Sequence, residues 1–236
     1  MDAATSTEPA AVETSNATAR LLETADDAAS FLPALTNITE RAIARWQDDL
    51  SVAMSRTIAV KLYKTSIDST RFLARKVSPE GASSLVHVGN WRTPVIIGAT
   101  RELVFACVDA LFGGDGSEPP HETDRPLSQI ELDLMSHVFT LLAEAIQAEF
   151  GKVLDAPVET LPAAATLPLD DTGVPDCTMI GCIVSLDISG HHQQALLCFP
   201  HAEITALAPR LAACTADQAP RDPEWARKFS DEVTRT

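Results

Sequence analysis

Three features of the 236-residue chain have residue types and spacing that could do chemistry. The segment LFGGDG, residues 111–116, places Gly113, Gly114 and Gly116 within four positions. Glycine-rich turns of this density cradle phosphates when they lead from a strand into a helix N-terminus, where free N–H groups meet the anion. The adjacent pair His191 and His192 offers imidazoles to a metal. Five cysteines, at 107, 177, 182, 198 and 214, offer a disulfide framework or a zinc site. Spacing weakens the last two. No ligand set at ordinary metal spacing accompanies the histidines, and a turn between two strands explains them. The cysteine number is odd and no C-x-x-C occurs, so reduced thiols of a cytosolic protein are the better reading.

The elements that must position the glycines decide their chemistry. Thr100 can cap a helix that puts Leu103, Val104, Cys107, Val108 and Leu111 on one face and ends at Gly113. The glycines therefore follow a helix, and the negative end of its dipole points at them. Leu111 and Phe112 are expected to anchor the helix end. The loop GGDGSEPPHETDR carries Asp115, Glu118, Glu122 and Asp124 against Arg125 alone, and no Lys-Ser or Lys-Thr follows. Phosphate binding is excluded on these grounds. Two readings stay open from the residues: a C-cap with a flexible connector, or an exposed tip with a specific backbone path.

The loop leads to SQIE, residues 128–131, a capping box in which the Ser hydroxyl and Glu carboxylate satisfy free backbone donors. The helix it opens continues to about Phe150. Upstream, Leu35, Ile38, Ala42, Trp46, Leu50 and Ala53 recur at helical spacing. Residues 57–64 alternate as a strand. Residues 83–88 and 94–99 make a strand pair joined by GNWRT, and 181–188 and 194–199 make another. One edge strand is expected in the proline-bearing stretch 151–178. A last helix starts near Pro200.

The two halves overlay at an offset of 100 residues. Val95, Ile96 and Ile97 match Ala195, Leu196 and Leu197; Thr100 matches Pro200; Val104, Cys107 and Leu111 match Ile204, Leu207 and Leu211. Laid without a gap, Val86 falls on Leu186 and GNWR on SGHH. Internal duplication follows. The expected fold is α/β, two related halves sharing one mainly antiparallel sheet with helices on both faces.

Composition limits the partners. A formal charge of −15 opposes binding to nucleic acid or anionic membrane surfaces. No apolar run is long enough to span a bilayer, and MDAATSTEPA lacks the features of a signal peptide. The first 30 residues hold six acids against Arg20 and are expected to be disordered, with only residues 19–32 able to form a short helix.

VDALFGGDG (108–116), the polar loop after it and the Ser128/Glu131 helix start resemble the middle domain of the flagellar motor switch protein FliM family, in which a "DxxFGGxG" helix end precedes a "T/S-x-x-E" helix. LLCFP (196–200) fits the family's "G-x-x-x-L-C-x-P" region, and DPEWARKFSDEV (222–233) is similar to the link towards its C-terminal domain. The resemblance covers roughly residues 33–236. It implies a pseudo-twofold α/β/α sandwich related to the CheC phosphatases, with residues 1–32 as an acidic tail, 33–214 as the domain and 215–236 as a linker. It implies a non-enzymatic part of the cytoplasmic ring at the flagellar base, on the inner membrane's cytoplasmic face, with no cofactor. FliG is the implied partner of Gly113, Gly114, Asp115 and Gly116. FliN is implied as a partner through the C-terminal region, which these residues do not include, and neighbouring copies are implied to pack side by side in the ring.

Two departures bear on function. The family's N-terminal "LSQxEIDALL" segment, which binds phosphorylated CheY, has no counterpart in residues 1–30. LSQIELDLM (127–135) imitates it, but its apolar residues are needed for a core and its capping box accounts for Ser128 and Glu131. CheY, if bound, would use residues 19–32. The alternative function is a CheC-like phosphatase, which needs an acid and an amide on one helical face in a "D/S-x-x-x-E-x-x-N" pattern. The best registers are Asp133, His137, Thr140 and Thr36, Glu40, Ile43; both lack the amide that would orient water.

Overall fold

In the computed structural model of the protein, the backbone is described for residues 10–76, 80–114, 125–151, 153–154, 156–165 and 174–216, and side chains from residue 31 to 213 within those ranges. The described elements are α1 (Ala10–Ala53), β1 (Ile58–Ser69), α2 (Thr70–Lys76), β2 (Ala82–Val88), β3 (Val95–Ala99), α3 (Arg101–Leu111), α4 (Gln129–Phe150), β4 (Val158–Thr160), β5 (Thr178–Ile188), β6 (His191–Pro200) and α5 (His201–Ala216). The strands form one antiparallel sheet in the order β1-β5-β6-β3-β2-β4. Hairpins β2–β3 and β5–β6 lie at its centre, and β4, flanked by Pro157 and Pro162, is the expected edge strand.

One sheet face carries the larger core. Val86, Val95, Ile97, Val184, Leu186, Leu197 and Phe199 meet the apolar stripes of α1, α3, α4 and α5 there. On α1 the stripe is Leu35, Ile38, Ala42, Trp46 and Leu50, spaced to stay on one side of a 3.6-residue turn. Trp46 is buried and its Nε1–H donates to the Val138 carbonyl of α4 at 3.2 Å. The opposite face is thinner: Leu85, Ile96, Met179, Leu196 and Cys198 are covered by Leu73 of α2 and Val174. Leu73 seats against Gly181, where any Cβ would come within 2.6 Å of its Cδ2.

The pseudo-twofold is visible in the sheet register. β3 and β6 are central neighbours, and Ile97 directly faces Leu197. A twofold axis between those residues maps β3 onto β6 at an offset of 100, as the sequence overlay predicts. The overlay needs one correction. Leu85 pairs with Ile96, whereas Leu196 pairs with Ile183, two positions short of Ser185. A two-residue gap therefore separates the β2/β5 match from the β3/β6 match. The β5–β6 hairpin continues to Ile188 and His191, while the β2–β3 ladder stops at Val86 and Val95.

The N-terminal expectation also changes. α1 begins at Ala10, within the stretch expected to be disordered, and Phe31 is fully buried in the main core. Acid-rich composition suggested a tail, but Ala, Leu and Glu are good helix formers, and a helix anchored by Phe31 and Leu35 can extend through them. Residues 1–9 and 217–236 lie outside the described residues.

Candidate functional site

α3 starts where Thr100 accepts the Leu103 N–H at 3.4 Å, and buries Leu103, Val104, Ala106, Cys107 and Ala110. Its end is a Schellman motif. Phe112 is the C-cap; Gly113, at φ +82°, donates to the Ala110 carbonyl at 3.2 Å; Gly114 donates to the Asp109 carbonyl at 2.8 Å. Gly113 is exposed, with open space where a Cβ would stand, so its requirement for glycine is conformational. At Gly114 a Cβ would fall inside the Asp109 carboxylate. Phe112 does not anchor the helix end as expected: it is 71% exposed, and half-buried Leu111 alone turns inward.

The backbone leaving this motif is held from outside. Arg56 donates from Nη2 to the Gly114 carbonyl and from Nη1 to Ser189 Oγ at 2.8 Å. Arg56 follows the C-terminus of α1, and Ser189 sits in the β5–β6 turn at φ +56°. Three segments distant in sequence thus meet at the loop root. The helix dipole points its negative end at the loop, and the guanidinium there is spent on protein acceptors. This is the reverse of a phosphate cradle.

The loop's far foot is also fixed. Ser128 caps α4: its N–H donates to Glu131 Oε2 at 2.6 Å and its hydroxyl accepts the Glu131 N–H at 3.4 Å. Arg125 adds a bidentate pair to the same carboxylate, at 2.9 and 2.6 Å. The Arg125 guanidinium, with the Ser128 bonds, holds the Glu131 carboxyl down at about 2. Arg101 of α3 donates to the Arg125 carbonyl, and both guanidiniums lie beside the Phe105 ring, at 5.1 and 5.7 Å. Gly113 and Gly114 are therefore placed on a rigid root. Asp115 and Gly116 lie outside the described residues.

The architecture agrees with the comparisons. The protein-family model described as flagellar motor switch protein FliM matches residues 29–215. The chain belongs to the FliM family. A chain of the FliG–FliM complex from H. pylori matches with a TM-score of 0.65 at 15% identity, covering 72% of this chain and 92% of that one. The FliM middle domain of Vibrio alginolyticus matches at 0.62 and 16% identity, covering 74% and 99%. Thermotoga maritima FliY matches at 0.61 and 15% identity, covering 76% and 93%. At such identities these likenesses establish the fold. A comparison with curated protein sequences gives no match.

Within this FliM-family domain the other candidate chemistries are not assembled. His191 and His192 open β6, and His192 Nδ1 lies 3.6 Å from Asp187 Oδ2. Among the described residues no three His, Cys, Asp or Glu side chains gather as a metal site. Cys107, Cys182 and Cys198 are buried; burial pushes the Cys107 and Cys182 thiols up to about 12 and raises Cys198. The phosphatase registers fare no better. Ile43, where the amide would stand, is 2% exposed in the core. On α4, Thr140 Oγ1 donates to the Ser136 carbonyl at 2.8 Å and Asp133 accepts from Gln129 at 2.8 Å, each engaged along its own helix. Among the described residues no helix is long and apolar enough to cross a membrane.

The residues that sequence reasoning missed are Arg56, Arg101 and Arg125. Only Arg125 left a signal, its place six residues before the capping-box glutamate.

Proposed function

We propose that this FliM-family chain is a non-enzymatic component of the flagellar motor switch that binds FliG through the loop beginning at Gly113 and Gly114 and continuing through Asp115 and Gly116. The observation that carries this is the loop root. A Schellman-terminated helix hands the chain to glycines that present backbone without side chains. Arginine bonds hold Gly114 at one foot and Glu131 at the other, so a partner's backbone meets Gly113 and Gly114 already in place. The family membership and the likeness to a chain of a FliG–FliM complex supply the partner's name.

We extend the same reading to the remaining roles. The CheC-like domain spans 33–214, extended by the buried Phe31 ring, and 215–236 is a linker. Copies pack side by side in a cytoplasmic ring at the basal body, FliN is a second partner on the C-terminal side, and no cofactor takes part. Phosphorylated CheY does not use LSQIELDLM: Glu131 and Met135 are buried there and Ser128 is committed to its cap. Residues 19–32 are the segment left for that contact, with the buried Phe31 taking no part in it.

The test is a titration of the full chain against FliG of the same organism. Wild type binds, and Gly114→Arg abolishes binding at unchanged melting temperature. Equal affinity of the two proteins overturns the loop assignment.

A further inference from the structure

Arg56 stands between two helix ends. α1 closes with a Schellman motif of its own: Ser55, at φ +52°, donates to the Val52 carbonyl at 3.2 Å, and Arg56 donates to the Ser51 carbonyl at 3.1 Å. The strand that follows is pinned to the same helix, because Ile58 donates to Ser51 Oγ at 3.3 Å and Val60 to Gln47 Oε1 at 2.8 Å. The Arg56 backbone is therefore fixed on both sides. From it the side chain reaches the residue just past the α3 end and, with its other nitrogen, the β5–β6 turn. That turn is itself rigid: the Gly190 N–H donates to Asp187 Oδ1 at 2.8 Å, and Gly190 sits at φ +87°. A planar guanidinium with two forward donors suits two acceptors on separate segments; an ammonium offers a point charge without that fork.

We propose that Arg56 is a positioning residue for the docking loop, setting where Gly113 and Gly114 stand by holding the Gly114 carbonyl against the α1 end and Ser189. This rests on the reading of that loop as the FliG contact. The Schellman bonds fix how the chain leaves α3 but not how the next carbonyl is aimed, since Gly114 carries no side chain to lock it. Arg56 supplies that lock from outside the helix. Ser189 completes it by orienting the guanidinium.

The experiment compares wild type, Arg56→Ala, Arg56→Lys, Ser189→Ala and Gly114→Arg in the full chain. It reads FliG affinity, melting temperature, and hydrogen exchange at the Gly113 and Gly114 amides relative to Ile97 in the central strand. Arg56→Ala should weaken FliG binding about tenfold, which is about 1.4 kcal/mol. It should speed exchange at Gly113 and Gly114 by a similar factor and leave Ile97 unchanged. Arg56→Lys should recover part of the affinity, and Ser189→Ala should lose a smaller part. A purely structural role would instead raise exchange at Ile97 and lower the melting temperature in step with affinity. If Gly114→Arg abolishes binding while Arg56→Ala binds as wild type, Arg56 does not position the loop and the docking reading stands. If Gly114→Arg binds as wild type, the docking reading falls and this inference falls with it. Unchanged exchange at Gly113 and Gly114 in Arg56→Ala overturns the inference whatever the affinities.

Discussion

The Glu131 clamp at the loop's far foot makes a quantitative prediction. Its side chain is 7% exposed and takes two bonds from Arg125 and two from Ser128. These hold its carboxyl from an ordinary 4.5 down to about 2. A difference of that size corresponds to about 3 kcal/mol of stability at neutral pH. Arg125 is 47% exposed, so water screens part of the pairing and about 2 kcal/mol is the expected cost of Glu131→Gln at pH 7. For a domain of this length that lowers the melting temperature by about 4–8 °C. The sign with pH follows from the depressed value. The contribution is complete above 4.5 and is lost as pH falls from 4.5 towards about 2. Urea unfolding of both proteins should therefore show a gap that is constant from pH 7 to about 5 and falls below half by about pH 3. A gap that does not change between pH 7 and pH 3 would refute the reasoning, because the loss would then reflect shape and not charge. A gap below about 0.5 kcal/mol at pH 7 would show the pair to be an ordinary surface bridge.

Adjacent glycines should behave differently. Gly113→Ala should cost about 1–2 kcal/mol in urea unfolding, from its left-handed backbone, and Gly113→Asn should cost less; Gly114→Ala should cost under about 0.5 kcal/mol, because exposed Asp109 can swing aside, yet should still weaken FliG binding. On the thin face, Leu73→Ala should destabilise by about 2–5 kcal/mol, and in that background Gly181→Ala should recover part of the loss by filling the gap; no recovery in a double-mutant unfolding series would count against the Leu73–Gly181 contact. Among the four described cysteines, native-state alkylation followed by mass spectrometry should modify Cys177 first, while Cys107, Cys182 and Cys198 react only on unfolding.

The fold was legible where signals are local. Thr100, the Ser128/Glu131 box and Gly113 each act on backbone groups within five residues, so their types and spacing carried the ends of α3 and α4. Hairpin alternation carried β2, β3, β5 and β6. The misses have physical causes. α2 has seven residues, too few to show a period. β1 runs to Ser69, beyond the predicted end at 64, because an irregularity between Leu62 and Lys64 breaks its alternation. The repeat was visible, but its two-residue gap lies in a turn, where no burial pattern fixes the match. A large aromatic at position 112 predicts an anchor because such side chains usually bury, and Phe112 instead stands exposed beside the glycines. The Arg56 contacts join residues 58 and 133 positions apart, and nothing in a local window encodes them.

The near-symmetry of the sheet shows why a single arginine matters. In each half, the segment before an outer strand touches the hairpin turn of the neighbouring pair. In one half it is Ala156 and Pro157 before β4: the Gly89 N–H donates to the Pro157 carbonyl at 2.9 Å, and a Cβ on Gly89 would lie 2.7 Å from the Ala156 Cβ. In the other half the corresponding place is Arg56 before β1, against Ser189. That corner is closed by the backbone bond and the alanine's contact, and the alanine has no side-chain donor to reach further. The arginine spans its corner and still has a nitrogen for the end of α3. The helices differ in the same sense: α5 runs on to Ala216, whereas α3 stops at Leu111 and passes into glycines. Both departures from symmetry fall at one corner of the domain, the corner that carries the loop proposed to dock FliG. A twofold frame alone would present two equivalent loops; the arginine and the glycine stop make one of them distinct.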